Sequence, residues 1–130
     1  MINWSHYPNF TEAEFACQCG CGKADMDPGF ISKLQQVRTA IDMPDIPMRI
    51  TSGFRCSIHN QKVSSTGPNG PHTTGHACDI GVQGAEAKRL LSHLIIHFSG
   101  IGIQQKRSGR FIHVDDLTPP EFPRPNLWSY

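Results

Sequence analysis

Two separated segments of the chain carry side chains that could bind a metal ion. Residues 71–79 read PHTTGHACD and supply His72 and Asp79, and residues 111–116 read FIHVDD and supply His113. Imidazole nitrogens and a carboxylate oxygen form a mixed donor set that suits Zn²⁺, and a catalytic zinc keeps one coordination position open for water. The sequence therefore predicts a zinc site on His72, Asp79 and His113.

The alternation of apolar and polar residues predicts that both segments contain a β-strand. In the first segment this alternation places Asp79 on the face opposite to the apolar residues. In the second segment it places His113 and Asp115 on one face. If the two strands are neighbours, Asp79 and His113 can meet, and His72 would approach from the turn-rich loop before the first strand.

The elements that must position these residues follow from periodicity and from capping signals. Helices are predicted from Thr11 to before Cys19, from Asp27 to before Met43, from Ser57 to Ser64 and from Ala85 to Phe98. Strands are predicted over residues 47–55, 77–82, 100–104 and 111–116. This order predicts an α+β fold with a small, mostly antiparallel sheet of about four strands flanked by helices. The proline-rich tail, residues 117–130, is expected to wrap the surface with Trp128 and Tyr130 docked back onto it.

The composition bounds the class of protein. A chain of 130 residues is expected to form one domain, residues 1–130, and we expect a monomer. Its formal net charge of +1 does not provide the excess of positive charge that is typical of proteins that bind nucleic acid. No apolar run is long enough to span a bilayer, and the first ten residues lack the basic and apolar regions of a secretory signal. We therefore expect synthesis in the cytoplasm and no membrane insertion.

The five cysteines are unevenly distributed. Three lie in the segment CQCGCG, as Cys17, Cys19 and Cys21, and the others are Cys56 and Cys78. In a cytoplasmic chain, clustered cysteines favour free thiols or a metal site over a disulfide framework. The spacing is not the usual C-x₂-C of structural zinc sites. Two interpretations of Cys17, Cys19, Cys21 and Cys56 therefore stay open, namely packed thiols with a contingent disulfide and a second metal site. Cys78 falls on the apolar face of its strand and is predicted to lie in the core.

Arg55 stands at the end of the first predicted strand. One interpretation is a solvated surface arginine. The other is a guanidinium fork that binds a substrate carboxylate or a developing oxyanion. The spacing of the residues alone does not decide between these interpretations.

With these residues in place, the chain resembles the peptidase M15 family of zinc D-Ala-D-Ala carboxypeptidases and related peptidoglycan peptidases, which share a fold with the Hedgehog signalling domain. Three elements carry the resemblance in order, namely SGFR at 52–55, HTTGHACD at 72–79 and HVD at 113–115. The early FACQCGCG and the later RCSIHN resemble a small subgroup that is common in phages and bacteria.

The resemblance implies zinc on His72, Asp79 and His113, with water polarised by the metal as the nucleophile. It implies hydrolysis of amide bonds in peptidoglycan stem peptides, by a carboxypeptidase or by an endopeptidase. The absence of a secretory signal would fit a phage lysin or a virion-associated protein that acts on the cell wall.

The resemblance also implies a substrate-binding group. Arg55 would contact the substrate carboxylate or carbonyl, and Ser52 and His59 are candidate substrate-binding residues beside it. This implication selects the functional interpretation of Arg55 over the solvated one.

One position departs from the family pattern. In many relatives an acidic base lies three residues before the last histidine, and here that position is Arg110. We assign the catalytic base to Asp115, which lies on the His113 face and ~7 Å along the strand. A role in orienting His113 is the equal alternative for Asp115. Arg110 also permits a second hypothesis, a catalytically inactive zinc-containing module of the same fold that binds peptidoglycan.

Overall fold

The computed structural model describes residues 1–41 and 48–130. Within them, the α-helices are α1 Glu12–Phe15, α2 Pro28–Ala40, α3 Ser57–Val63 and α4 Gly84–His97. The strands are β1 Arg49–Ser52, β2 Ala77–Gly81, β3 Gly100–Gln104, β4 Phe111–Asp115 and β5 Asn126–Ser129. The predicted α+β class is confirmed, although the described residues form five strands instead of about four. Pro47, at the start of the first predicted strand, lies outside the described residues.

The strands form one sheet in the order β1-β2-β4-β3-β5. Neighbouring strands are antiparallel except for β3 and β5, which are parallel. Asp79 of β2 is directly opposite His113 of β4 in the register of the sheet. The two strands are therefore neighbours, which is the condition under which Asp79 and His113 can meet, and the pairing explains how residues 34 positions apart come together.

One face of the sheet is apolar and belongs to the hydrophobic core. The helices α2 and α4 contribute to the same core from above this face. Its fully buried members include Phe30, Leu34, Val37, Cys78, Ile80, Leu90, Leu94, Ile112 and Val114. Cys78 therefore lies in the core, as predicted. None of the described helices has the length and apolar character needed to cross a membrane.

The opposite face of the sheet carries the polar residues. Two glycines of β3, Gly100 and Gly102, leave open space on this face beside β4. A methyl group at Gly102 would lie 2.5 Å from the indole Nε1 of Trp128, and one at Gly100 would overlap the Asp115 carboxylate. The glycines thus make room for the C-terminal segment to pack across the sheet.

The C-terminal segment differs from its prediction in one respect. The sequence predicts that residues 117–130 wrap the surface with Trp128 and Tyr130 docked, but in addition Asn126–Ser129 pairs with β3 as an edge strand. The backbone N–H of Asn126 also donates to the carbonyl of Ser99. The strand could not be recognised from the sequence, because the frequent prolines of this segment argue against a strand.

Candidate metal centre

A cleft of about 820 Å³ lies on the polar side of the sheet. His72, Asp79 and His113 all line it, and all three residues are buried. The loop that runs from Val63 to Pro71 and the C-terminal segment also contribute lining residues. The aromatic lining residues are Phe111, Phe122, Trp128 and Tyr130.

Three side-chain atoms converge inside this cleft. The Oδ1 atom of Asp79 lies 3.3 Å from Nε2 of His72 and 3.0 Å from Nδ1 of His113. All three donor atoms lie within 4.8 Å of one another. Donors bound tetrahedrally to zinc at ~2.0–2.1 Å would be separated by about 3.3 Å. The two measured distances to Asp79 therefore suit a small divalent cation.

The hydrogen bonds on the far side of each imidazole fix which nitrogen is free. The Nδ1 atom of His72 lies 2.8 Å from the carbonyl oxygen of Gly53, which can only accept, so Nδ1 carries the proton. The Nε2 atom of His113 lies 2.8 Å from Oδ2 of Asp115 and donates to that carboxylate. In the neutral imidazoles, Nε2 of His72 and Nδ1 of His113 then both direct a lone pair toward Asp79. The repulsion among these lone pairs is relieved by a proton on His113 Nδ1 or by a cation bound in its place, so the donor set fits a metal ion that replaces this proton.

Asp115 is held by an arginine from the C-terminal segment. The Nε and Nη2 atoms of Arg124 each donate to one carboxylate oxygen of Asp115 at 2.8 Å. Burial alone would raise the pKa of Asp115, but the hydrogen bonds from Arg124 and His113 outweigh it and lower the pKa to about 2. The Asp115 side chain has no exposed surface, and both of its oxygens are occupied. Of the two roles predicted for Asp115, this geometry favours the orientation of His113.

The protonation of the donors follows from the same contacts. Burial would raise the pKa of Asp79, but hydrogen bonds from His113 and His72 hold it well below its usual range. Burial would lower the pKa of His113, but the Asp115 and Asp79 carboxylates outweigh burial and raise it. Asp79 is therefore ionised and ready to act as a ligand, whereas the same carboxylates favour the protonated form of His113, which competes with metal binding.

The segment that carries Arg55 is fixed between two other parts of the fold. The backbone N–H of Phe54 donates to Phe15 O at 2.9 Å, and that of Arg55 donates to His72 O at 3.0 Å. A methyl group at Gly53 would lie only 2.5 Å from the Cα of Phe15, so this close approach requires glycine. The loop therefore presents Arg55 and the Gly53 carbonyl at defined positions.

The Arg55 side chain lines the cleft beside the three donors. Its Nη2 atom lies 3.8 Å from Oδ2 of Asp79. Its Nε donates to Ser52 Oγ at 3.1 Å, and its Nη1 donates to Oδ1 of the fully buried Asn60 at 3.0 Å. Asn60 in turn donates to Thr66 Oγ1 at 2.9 Å. Ser52 thus positions Arg55 and is not itself a lining residue of the cleft.

Two residues singled out in the sequence do not reach the cleft in the described part of the chain. His59 does not line it, and the backbone N–H of His59 donates to Cys56 Sγ. Arg110 lines a hollow beside α4, and its Nε donates to the carbonyl of Arg107. Neither side chain faces the three metal donors.

Arg124, which no pattern in the sequence singles out, holds the carboxylate beside His113. The ring of Trp128, which was predicted to dock, lies 5.2 Å from the His113 ring, and the Arg124 guanidinium lies 5.1 Å from the Trp128 ring. The available signal was the alternation of Gly100 and Gly102, which indicates that a bulky group covers this face of β3. Burial, the largest cause, and the nearby Asp79 charge raise the pKa of Tyr130, so its phenol is protonated at neutral pH.

Comparison with known proteins gives one match. Residues 8–115 match the family described as Peptidase M15. No curated protein and no solved structure matches the chain significantly. The matched region includes Arg55, the three donors and Asp115, whereas Arg124 lies beyond it. The family match indicates a peptidase, and His72, Asp79 and His113 could hold its metal. Because the match covers 108 of 130 residues, the chain belongs to the peptidase M15 family.

Proposed function

We propose that the protein is a zinc metallopeptidase that hydrolyses amide bonds in peptidoglycan stem peptides. The convergence of His72 Nε2, Asp79 Oδ1 and His113 Nδ1 in an open cleft carries this proposal. Among the described residues, no fourth histidine, cysteine or carboxylate joins these three donors. Three protein ligands with one free position are typical of catalytic zinc sites, whereas structural sites are usually closed by four.

The protein's own residues would prepare this site for hydrolysis. A bound zinc ion would supply a Lewis acid and would lower the pKa of water toward neutrality. Asp115 would keep the proton of His113 on Nε2, and Gly53 would keep that of His72 on Nδ1. Arg55 would direct its guanidinium at a substrate carbonyl or carboxylate oxygen beside Asp79. The protonated phenol of Tyr130, in the cleft wall, is a further hydrogen-bond donor for such an oxygen.

The lining of the cleft supports a peptide substrate that carries carboxylates. Arg55 supplies a cation at the donors, and the aromatic rings supply an apolar wall for short aliphatic side chains. Peptidoglycan stem peptides combine both features, and the likeness to peptidoglycan peptidases supports the same class. The proposal includes both a carboxypeptidase and an endopeptidase, acting on the cell wall after synthesis in the cytoplasm.

One observation favours a second candidate function, a zinc-containing module that binds stem peptides without cleaving them. Among the described residues that line the cleft, the only side-chain carboxylate belongs to Asp79, which is already a proposed ligand. Asp115 is occupied by Arg124, and Arg110 lies outside the cleft. A separate carboxylate base, the usual partner in amide hydrolysis, is therefore not placed at the donors by this part of the chain.

Digestion of purified peptidoglycan separates the two candidates. The zinc-loaded protein is incubated with several wall types, and the products are identified by mass spectrometry. We expect new peptide fragments with the wild type and with His97→Ala, a histidine outside the donor set, and none with His113→Ala. A fully metallated wild type that binds muropeptides but releases no fragments would support the binding module.

The variant Asp115→Asn tests the two roles of that residue. Its amide oxygen can still accept a hydrogen bond from His113, so we expect a metal affinity that falls by roughly 10–100-fold and activity that returns when the site is saturated with zinc. Loss of all turnover with zinc bound would instead identify Asp115 as the catalytic base.

A further inference from the structure

We propose that Cys17, Cys19, Cys21 and Cys56 form a second metal site, a structural zinc held by four thiolates. We refer to these four residues as the thiol cluster. The cluster lies outside the cleft and shares no residue with the His72, Asp79 and His113 centre. The inference therefore does not depend on the proposed peptidase activity.

The distances within the thiol cluster match a tetrathiolate site. The Sγ atoms of Cys17 and Cys19 are 3.4 Å apart, and those of Cys19 and Cys56 are 3.7 Å apart. All four sulfur atoms lie within 4.8 Å of one another. Four sulfurs bound tetrahedrally at ~2.3 Å would be separated by about 3.8 Å. All four cysteines are free thiols, so none is committed to a disulfide.

The unusual Cys-x-Cys-x-Cys spacing is explained by the shape of the loop. The backbone N–H of Cys17 donates to the carbonyl of Lys23 at 2.8 Å, which closes the loop. Gly20 and Gly22 have φ values of +87° and +80°, a conformation that residues with a side chain rarely adopt. Two reversals of the chain within this short loop bring the thiols of Cys19 and Cys21 back toward Cys17.

Backbone amides also donate to two of the sulfurs. The N–H of Cys56 lies 3.4 Å from Cys17 Sγ, and the N–H of His59 lies 3.4 Å from Cys56 Sγ. Hydrogen bonds of this kind stabilise the negative charge of a thiolate and orient it toward a metal. Four thiolate donors leave no open coordination position, which is the arrangement of structural zinc sites.

The position of the fourth ligand indicates what the metal would stabilise. Cys56 directly follows Arg55, and Gly53, whose carbonyl binds His72, lies three residues before Cys56. A metal shared by this segment and the N-terminal loop would hold both in one arrangement. The thiol cluster would thus brace the backbone that presents Arg55 to the cleft.

Metal content under reducing conditions tests the proposal. We expect two zinc ions per chain in the wild type, one in Cys21→Ser and one in His113→Ala. Cys21 is exposed, so its replacement by serine removes a donor with little loss of packing. The control Cys78→Ala, which removes the remaining thiol from the core, should retain both ions.

Cobalt substitution identifies the donor type independently of activity. Cobalt at the thiol cluster should give sulfur-to-metal charge-transfer bands and intense tetrahedral visible bands. Both should persist in His113→Ala and be lost in Cys21→Ser and Cys56→Ser. The proposal is overturned if the reduced wild type binds a single zinc ion that disappears in His113→Ala, or if the cobalt spectrum is unchanged by the cysteine variants. A disulfide in the freshly reduced, zinc-supplemented protein, detected by mass spectrometry, would also overturn it.

Discussion

The two candidate metal sites use the fold in opposite ways. At the first site, Asp79 and His113 are paired residues of neighbouring strands, and all three donors are buried. At the thiol cluster, three donors come from one loop, and both Cys19 and Cys21 are exposed. Each histidine of the first site has a second hydrogen-bond partner that fixes its ring, whereas the exposed thiols have mainly one another.

This difference indicates which site depends on its metal for shape. Strand pairing and core packing determine the geometry of the first site, so a metal would bind to a scaffold that already exists. The loop of the thiol cluster lacks comparable packing, so a metal would contribute its binding free energy to the order of the loop. A preorganised open site suits chemistry, and a closed site assembled by its metal suits stabilisation.

Metal removal should therefore have its largest effect at the thiol cluster. We expect amide hydrogen exchange of residues 17–23 to accelerate by at least ~10³-fold after chelation, while the β2–β4 ladder changes little. Structural zinc contributes roughly 10–16 kcal/mol in zinc-finger peptides, so a local loss of several kcal/mol is reasonable. Exchange is measured by mass spectrometry with and without chelator.

The variants assign this effect to one site. In Cys21→Ser the loop should exchange rapidly before any chelator is added, and in His113→Ala it should remain protected until chelation. Equal acceleration in the loop and in the strands would mean that metal removal unfolds the whole protein. The contrast between a preorganised site and a metal-assembled site would then be wrong.

Replacement of Arg124 should damage the first site and leave the thiol cluster intact. Arg124→Met leaves the buried Asp115 carboxylate without its cationic partner, which typically costs ~3–5 kcal/mol. We expect the free energy of unfolding to fall by this amount and zinc affinity at the first site to fall by roughly 10–100-fold. Denaturant titration and competitive zinc titration measure the two effects.

Two further variants separate charge from packing. Asp115→Asn combined with Arg124→Met removes both charges and should recover part of the lost stability. Arg107→Met, at an exposed arginine of the β3–β4 turn, should change stability by no more than ~0.5 kcal/mol. A loss in the double variant as large as in Arg124→Met would assign the effect to packing on Trp128.

The contrast also explains how much could be predicted from the sequence. The alternation in β2 and β4 placed Asp79 and His113 on the polar face, because strand periodicity is a local property of the chain. The α+β class followed from the same periodicity. The contact of Arg124 with Asp115 could not be predicted, because an irregular proline-rich segment separates these residues by nine positions. In such a segment no helix or strand periodicity relates the sequence to the direction of a side chain.

The thiol cluster illustrates a different limit. Sequence spacing left Cys17 and Cys56 open to two interpretations, because a pattern of thiols does not give the path of the backbone between them. The positive φ values of Gly20 and Gly22 determine that path, and only the three-dimensional structure provides them. The role of Asp115 was undecided for the same reason, since strand alternation gives the face of a side chain but not its partners.

The pH dependence of metal binding should differ between the two sites. In the metal-free protein the raised pKa of His113 keeps this residue protonated above the ordinary histidine value of ~6.5. Zinc must displace that proton, so affinity at the first site should rise about tenfold per pH unit below this pKa and level off above it. The thiol cluster must release several protons, and its affinity should rise more steeply.

Isothermal titration in buffers of different ionisation enthalpy measures the protons released at each site. The same shift affects the stability of the metal-free protein. The contribution of His113 to the free energy of unfolding should be fully present below the ordinary histidine pKa. It should be lost as the pH rises through the raised pKa of the folded state. If zinc affinity at the first site does not change with pH, His113 is already neutral in the metal-free protein. Its imidazole then carries no additional proton between the Asp79 and Asp115 carboxylates.

The smallest effect is expected at Arg110, where the family resemblance led us to expect an acidic base. Arg110→Glu restores a carboxylate three residues before His113, yet Arg110 shares its strand face with Ile112 and lines the hollow beside α4. We expect turnover of peptidoglycan within about twofold of the wild type, and a change in stability within ~0.5 kcal/mol. A large gain in turnover, with zinc content unchanged, would show instead that a side chain at 110 can reach the cleft. In that case the wild-type metal site would lack only a catalytic base. Its preorganised donors would then indicate a site for binding more than for catalysis.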